Sequence, residues 1–192
     1  MKELTIFKTS IFKTMLDIDL NKFIKKFKVM KKESPGRVIS NAGGWQSYDF
    51  NFNDSLLKEL KEHIENQIKH LHHQLGFKKS TRLYVNNGWC NFNDYQQYNT
   101  AHSHPNSILS GVLYFQTPPK CGSVVFLNPI QLLNHAWETD SAETYTPHNS
   151  TIWNVPVKAG MMVVFPSWLL HRVEASKSYS SRISISFNTH AR

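Results

Sequence analysis

Two histidines one residue apart, His102 and His104, sit in YNTAHSHPNSILSGVLYFQ just ahead of a strongly β-forming run. On an extended chain, residues i and i+2 point to the same face. An H-x-H pair there presents two imidazoles to one metal ion, although two nearby histidines are also common as hydrogen-bonded neighbours. A third imidazole, His171, follows a Pro-Ser-Trp turn at the end of the hydrophobic run GMMVVFP. Arg182 lies 11 residues further on, at the head of RISISFN, with Ser184 on the same face by the period of two. An arginine facing inward in a small β-structure needs an anion, because a lone buried charge is costly. A dicarboxylic co-substrate supplies one through a bidentate contact. Taken alone, Arg182 also fits a surface residue closing a hairpin.

The other histidines lack such company. His63, His70, His72 and His73 fall in the second helical segment, off its apolar stripe, and read as surface residues; His135, His148 and His190 fall in loops or at the end. The tryptophans Trp45, Trp89 and Trp168 either line a substrate side or fill the core, core packing being expected for at least two of them.

These residues need a scaffold, and the chain changes texture to provide one. LDIDLNKFIKKFKVMKK places Leu20, Phe23, Ile24 and Phe27 at helical spacing and stops near Ser34-Pro35-Gly36. A second helix is predicted from Asp54-Ser55, with Leu56, Leu57, Leu60, Ile64, Ile68 and Leu71 as its stripe. ELTIFKTSIFKTML contributes a strand, and RVISNAGGWQSYDF reads as a loop centred on Gly43-Gly44, a candidate lid. From Thr81 onward, short β-rich runs follow one another: RLYVNNGWCNF, SGVLYFQ, GSVVFLN, TIWNVPV, GMMVVFP and RISISFN. That rhythm predicts a β-sandwich or jelly roll with the helices packed outside one sheet.

Bulk properties agree. With 192 residues, 40% hydrophobic and 19% charged, the chain suits one globular domain over 1–192, with 1–80 as a helical elaboration on an 81–192 jelly-roll core. No apolar run approaches the roughly 18 residues that span a bilayer, and no secretory signal is seen. Cys90 and Cys121 form no metal or redox motif and fit a reducing compartment, so the cytoplasm is expected. The net charge of +8 is concentrated before residue 81, where 15 Lys and Arg meet 9 acids. A solvated helix face is the simpler reading, and nucleic acid is a weaker one.

In combination, four blocks resemble the 2-oxoglutarate and Fe(II)-dependent oxygenases, in the subfamily common in bacteria and phages. They are Gly43-Gly44-Trp45-Gln46-Ser47, His102-Ser103-His104-Pro105 leading into Ser110-Gly111-Val112-Leu113-Tyr114, Phe165-Pro166-Ser167-Trp168 with His171, and Arg182 to Asn188. The resemblance spans most of the chain and implies a mainly β fold with flanking helices, the double-stranded β-helix or cupin-like jelly roll. It implies Fe(II), 2-oxoglutarate and O2 as partners, and hydroxylation of an unidentified substrate with release of succinate and CO2. Residue by residue, His171 becomes the distal iron ligand and Arg182 the clamp on the far carboxylate of 2-oxoglutarate. Ser184 assists that clamp and Tyr114 is a further partner. Trp45, Gln46 and Trp168 are weaker candidates on the substrate side.

One position departs from the wider superfamily, which has a carboxylate where this chain has His104. Either iron takes three imidazoles, the favoured reading, or a carboxylate such as Asp94 or Glu174 arrives from elsewhere. Two rival functions stay open: a three-histidine cupin dioxygenase without 2-oxoglutarate, and a non-catalytic jelly-roll binding or virion-associated module. Substrate and oligomeric state are not specified by the sequence.

Overall fold

The computed structural model describes residues 1–130 and 142–192. His135 lies outside them. Eleven strands and three helices are found among the described residues. They are β1 (Phe12–Met15), α1 (Leu20–Glu33), β2 (Asn41–Ala42), β3 (Trp45–Gln46), α2 (Ser55–Ile68), α3 (Leu71–Gln74) and β4 (Leu83–Asn93). Then follow β5 (Tyr98–His102), β6 (Leu109–Gln116), β7 (Val124–Leu127), β8 (Ile152–Val155), β9 (Met161–Pro166), β10 (His171–Val173) and β11 (Arg182–Ala191).

Two antiparallel sheets result, with orders β1-β9-β6-β11-β4-β3 and β2-β5-β10-β7-β8. All pairings are antiparallel. This is the expected jelly roll, and each of the six predicted β-runs overlaps one of its strands.

Strict alternation builds the larger sheet. In β11, Ile183, Ile185 and Phe187 join the main hydrophobic core, while Arg182, Ser184 and Ser186 face a cavity between the sheets. In β4, Cys90 and Phe92 face the core, and Trp89, Asn91 and Asn93 face the cavity. The core side is covered by the helices, through Phe23 and Phe27 of α1 and Leu57, Leu60, Ile64 and Ile68 of α2. Asp19 caps α1 at Asn21, and Asp54 caps α2 at Leu56 and Leu57. Asp54 also accepts from Lys26 Nζ at 2.6 Å and so ties the helices together. Lys22 likewise meets Glu59, and Lys31 meets Asp94. Part of the basic N-terminal excess is thus spent on internal ion pairs.

Three expectations need correction. The second helix stops at Ile68, and His72 and His73 belong to the separate turn of α3, because the chain bends at Lys69-His70 to bury Leu71. His190 is in β11, its ring 6.2 Å from that of Tyr84. The segment expected as a loop holds β2, paired with β5, and β3, paired with β4, so it is stitched to both sheets. Gly43, at φ +74°, makes the turn between those two strands.

Candidate metal and anion site

His102 and His171 face each other directly across the β5–β10 ladder. Their rings are 4.4 Å apart between centroids. His104 lies beyond the end of β5 rather than on it, so the same-face argument for an extended pair does not describe it. A turn does the work instead. The His104 backbone N–H donates to the Ser167 carbonyl at 2.8 Å, which draws the chain back over β10. The His104 and His171 Nε2 atoms are then 3.3 Å apart, and one ligand nitrogen from each of the three rings lies within 4.8 Å of the others. Two ligands of one ion at about 2.1 Å and tetrahedral or octahedral angles are separated by about 3.0–3.4 Å. The imidazole pair therefore already has the spacing of a coordination edge.

Backbone carbonyls fix the outward faces of two rings. His102 Nδ1 meets Thr100 O at 2.7 Å, and His171 Nδ1 meets Leu169 O at 2.9 Å. Each Nδ1 must carry the proton, leaving each Nε2 with a free lone pair, the usual arrangement behind a metal-bound histidine. Burial disfavours the imidazolium form of all three. It lowers His102, takes His104 to a pKa of about 4, and takes His171 to about 3, with repulsion from the neighbouring imidazoles adding to the last two. The cluster is neutral at pH 7, as ligands must be.

Among the described residues no Asp, Glu or Cys joins this group. The two carboxylates considered from the sequence are engaged elsewhere. Asp94 accepts from Ser181 Oγ, and Glu174 Oε2 accepts from the Ser123 N–H at 2.9 Å.

The same cavity contains the anion clamp expected at Arg182. Arg182 is only 1% exposed, so it is no surface residue. Its Nη1 donates to the Cys121 and Glu174 carbonyls, while Nη2 has no partner. Gly122, at φ +84°, makes this possible, since a Cβ there would lie 3.1 Å from Arg182 Nη1 and 2.7 Å from the Glu174 carbonyl. Tyr114, also 1% exposed, lies opposite Ser184 in the β6–β11 register, and its hydroxyl is likewise without a partner. Burial raises the Tyr114 pKa against the pull of Arg182, so the hydroxyl keeps its proton and is a donor. Burial lowers the Arg182 pKa, from a starting point high enough to leave a cation. Ser184 completes this wall.

An unpaired guanidinium edge and an unpaired phenol, both buried, are expensive unless a ligand satisfies them. A carboxylate fits both. Together with three neutral imidazoles, the donor set suits a divalent metal and a dianionic co-substrate.

Sequence reasoning passed over Asn91 and Asn93. Asn91 Oδ1 and Asn93 Nδ2 are two more buried atoms without partners, and both side chains line the cavity. The period-two pattern of Trp89, Asn91 and Asn93 was the available signal. Of the weaker candidates, Trp45 packs edge-on against Phe92 and donates to Ser34 O, on the core side of the sheet. Gln46 is buried opposite Asn91 but outside the cavity lining, and Trp168 is 58% exposed. Trp89 does line the cavity, with its ring 5.8 Å from that of His104.

Solved structures similar in fold share little sequence. The non-heme alpha ketoglutarate dependent epimerase SnoN from nogalamycin biosynthesis aligns at TM-score 0.70 and 12% identity, over 94% of this chain and 76% of its own. A Pseudomonas putida prolyl-4-hydroxylase aligns at 0.65 and 12%, over 96% and 94%. The viral collagen prolyl hydroxylase from Paramecium Bursaria Chlorella virus-1, crystallised as its 2OG complex, aligns at 0.60 and 10%, over 93% and 94%. No curated protein matches in sequence. At such identities these likenesses speak for the fold alone. The model of the 2OG-Fe(II) oxygenases, however, matches residues 87–188, a stretch that carries the three imidazoles, Tyr114, Arg182 and Ser184, and by that match this chain belongs to the 2OG-Fe(II) oxygenase family.

Proposed function

We propose that His102, His104 and His171 hold the iron, and that Arg182, Tyr114 and Ser184 hold the far carboxylate of 2-oxoglutarate, in an enzyme that hydroxylates a substrate still to be identified. The observation that carries this reading is the pair of partnerless buried atoms, Arg182 Nη2 and Tyr114 Oη, in the same cavity as the three imidazoles. When bound, Fe(II) would activate O2, the oxidant, for hydroxylation, with 2-oxoglutarate supplying two of the electrons and leaving as succinate and CO2.

The chain's own residues do the rest. Arg182 and Tyr114 direct charge-assisted hydrogen bonds at one end of the cavity, so a dicarboxylate is oriented along it. The Thr100 and Leu169 carbonyls hold the tautomers of His102 and His171. Asn91 and Asn93 offer one acceptor and one donor to whatever lies beside them. Val112, Val124 and Phe165 contribute apolar surface to the cavity and limit water around the imidazoles. The anion clamp argues against a three-histidine dioxygenase lacking 2-oxoglutarate, which has no use for it. Three neutral ligands leave the metal a stronger Lewis acid than a set with a carboxylate.

The two buried free cysteines suit the proposed cytoplasmic setting. Among the described residues no helix is long and apolar enough to cross a membrane.

Anaerobic Fe(II) titration with and without 2-oxoglutarate, followed by a screen for substrate-stimulated succinate release, tests the reading. Tighter iron binding in the presence of 2-oxoglutarate is expected. Iron binding that ignores 2-oxoglutarate would overturn the clamp.

A further inference from the structure

Three of the sequence blocks contain a buried polar residue that neither metal nor anion binding explains: Ser110, Ser167 and Asn188. They meet. Ser110 Oγ donates to Asn188 Oδ1 at 2.7 Å and lies 2.8 Å from Ser167 Oγ. A hydroxyl has one proton, so Ser167 must be the donor to Ser110. Beyond them the direction of donation is unbroken. Asn188 Nδ2 donates to Asn87 Oδ1 at 3.1 Å, and Asn87 Nδ2 donates to Asp49 Oδ2 at 3.1 Å. The chain ends on the Asp49 carboxylate, whose other oxygen accepts from Arg37. Arg37 in turn stacks over Trp89, with its guanidinium carbon 5.7 Å from the ring centroid. Since the Trp89 ring lies beside His104, the path closes on the imidazole cluster.

Its other end also reaches that cluster. Ser167 belongs to the turn between β9 and β10, which receives His104 N–H on the Ser167 carbonyl and His171 Nδ1 on the Leu169 carbonyl. That one turn therefore holds the backbone of His104 and the ring of His171. It is pinned by the Ser167 backbone N–H to the Ile108 carbonyl at 3.0 Å, and by the Ser167 hydroxyl to Ser110. A two-point attachment of this kind fixes both the position and the tilt of the turn. From Ser167 to Asp49 the donors are aligned, so each bond polarises the next.

We infer that Ser167, Ser110 and Asn188 are positioning residues that set the spacing of His104 and His171 at the metal. This rests on the assignment of those histidines as ligands. Their own mutual geometry requires nothing as polar: an apolar trio of equal volume would pack the same space without the cost of burying two hydroxyls and an amide. Gly111, between Ser110 and Val112, has the complementary task. A Cβ there would lie 2.2 Å from the Phe187 ring, so glycine lets β6 close on β11 and brings Ser110 opposite Asn188.

The probe is Co(II) alone, added to the full chain, read by affinity and by its visible ligand-field spectrum. Ser167→Ala is expected to weaken Co(II) about tenfold or more, in line with outer partners of metal ligands, and to change the spectrum. Ser167→Thr keeps the hydroxyl and should restore both. Ser110→Ala acts one bond further away and is measured in parallel, so a folding failure of Ser167→Ala leaves the question answerable. Thermal melts of the metal-free variants separate stability from ligand geometry. Wild-type Co(II) affinity and spectrum in every variant that folds, with lowered melting temperature, would make the trio purely structural and overturn the inference. No Co(II) binding by the wild type would instead overturn the ligand assignment itself.

Discussion

His104 and His171 stand 67 positions apart in sequence, and their Nε2 atoms are 3.3 Å apart. The separation is short for two neutral rings with nothing to share, and it fits either one shared proton or one shared ion. With His171 Nδ1 protonated toward Leu169, His104 must supply the proton when no ion is present.

Metal stoichiometry follows from this arrangement. One Fe(II) per chain is expected, and His171→Ala or His104→Ala should lower affinity at least 100-fold, since each removes one of three ligands. His104→Asp recreates the commoner pairing with a carboxylate and should retain more iron than His104→Ala, although the shorter side chain reaches less far. Equal affinity in wild type and His104→Ala, by anaerobic titration, would remove His104 from the ligand set.

Tyr114→Phe separates binding from folding. The hydroxyl makes no hydrogen bond to another protein group, so its loss should cost little stability. The same change removes a donor to a carboxylate, worth about 1.5–3 kcal/mol, or roughly 10- to 100-fold in 2-oxoglutarate affinity. Calorimetric titration and a denaturant melt read the two effects. A loss of stability with unchanged affinity would show that Tyr114 serves packing only.

Arg182→Ala should weaken 2-oxoglutarate far more than iron, and Arg182→Lys should rescue it only in part, because the planar fork is lost. Gly122→Ala predicts the same phenotype by a different route. It forces a side chain into the left-handed region and toward Arg182 Nη1 and the Glu174 carbonyl. A destabilisation of about 1–3 kcal/mol is expected together with weaker 2-oxoglutarate binding. Unchanged affinity in a folded Gly122→Ala protein would mean that the clamp tolerates displacement.

Acid should weaken the metal-free fold. His104 and His171 titrate near pH 4 and 3 in the folded chain against about 6.5 when unfolded. Below pH 6.5 the unfolded state therefore binds more protons, and stability falls as pH drops from 6.5 toward 4. Above 6.5 these residues add no pH dependence. The loss is on the order of 1 kcal/mol per pH unit for each buried histidine. His171→Gln should lose less between pH 7 and 5, by urea midpoints; an equal loss would place the acid sensitivity elsewhere. Burial also moves proton competition for the metal below the pH of about 6.5 at which free imidazoles titrate.

Much of this site is readable in the sequence because its signals are local. A period of two in RISISFN states that Arg182 and Ser184 share a face and Ile183 and Ile185 the other, and that follows from the pleat of a strand whatever its neighbours are. Helical stripes at Phe23 and Phe27, and at Leu57, Leu60 and Ile64, follow equally from the pitch of the helix. The residue types at His102, His104 and His171 were sufficient to suggest a metal.

What the tertiary structure alone decided is which faces meet. His104 reaches the cluster through a hydrogen bond to a turn more than 60 residues away, a contact that no periodicity encodes. The segment around Gly43 became two strands because edges of both sheets stood ready to pair with it. Asn91 and Asn93 look like ordinary polar strand residues until the second sheet closes over them and takes away their water. Arg182 reads as a surface residue or a buried clamp with equal ease along the chain. Its burial depends on how two sheets pack, since the energy of an unpaired charge is set by the medium around it and not by its sequence neighbours.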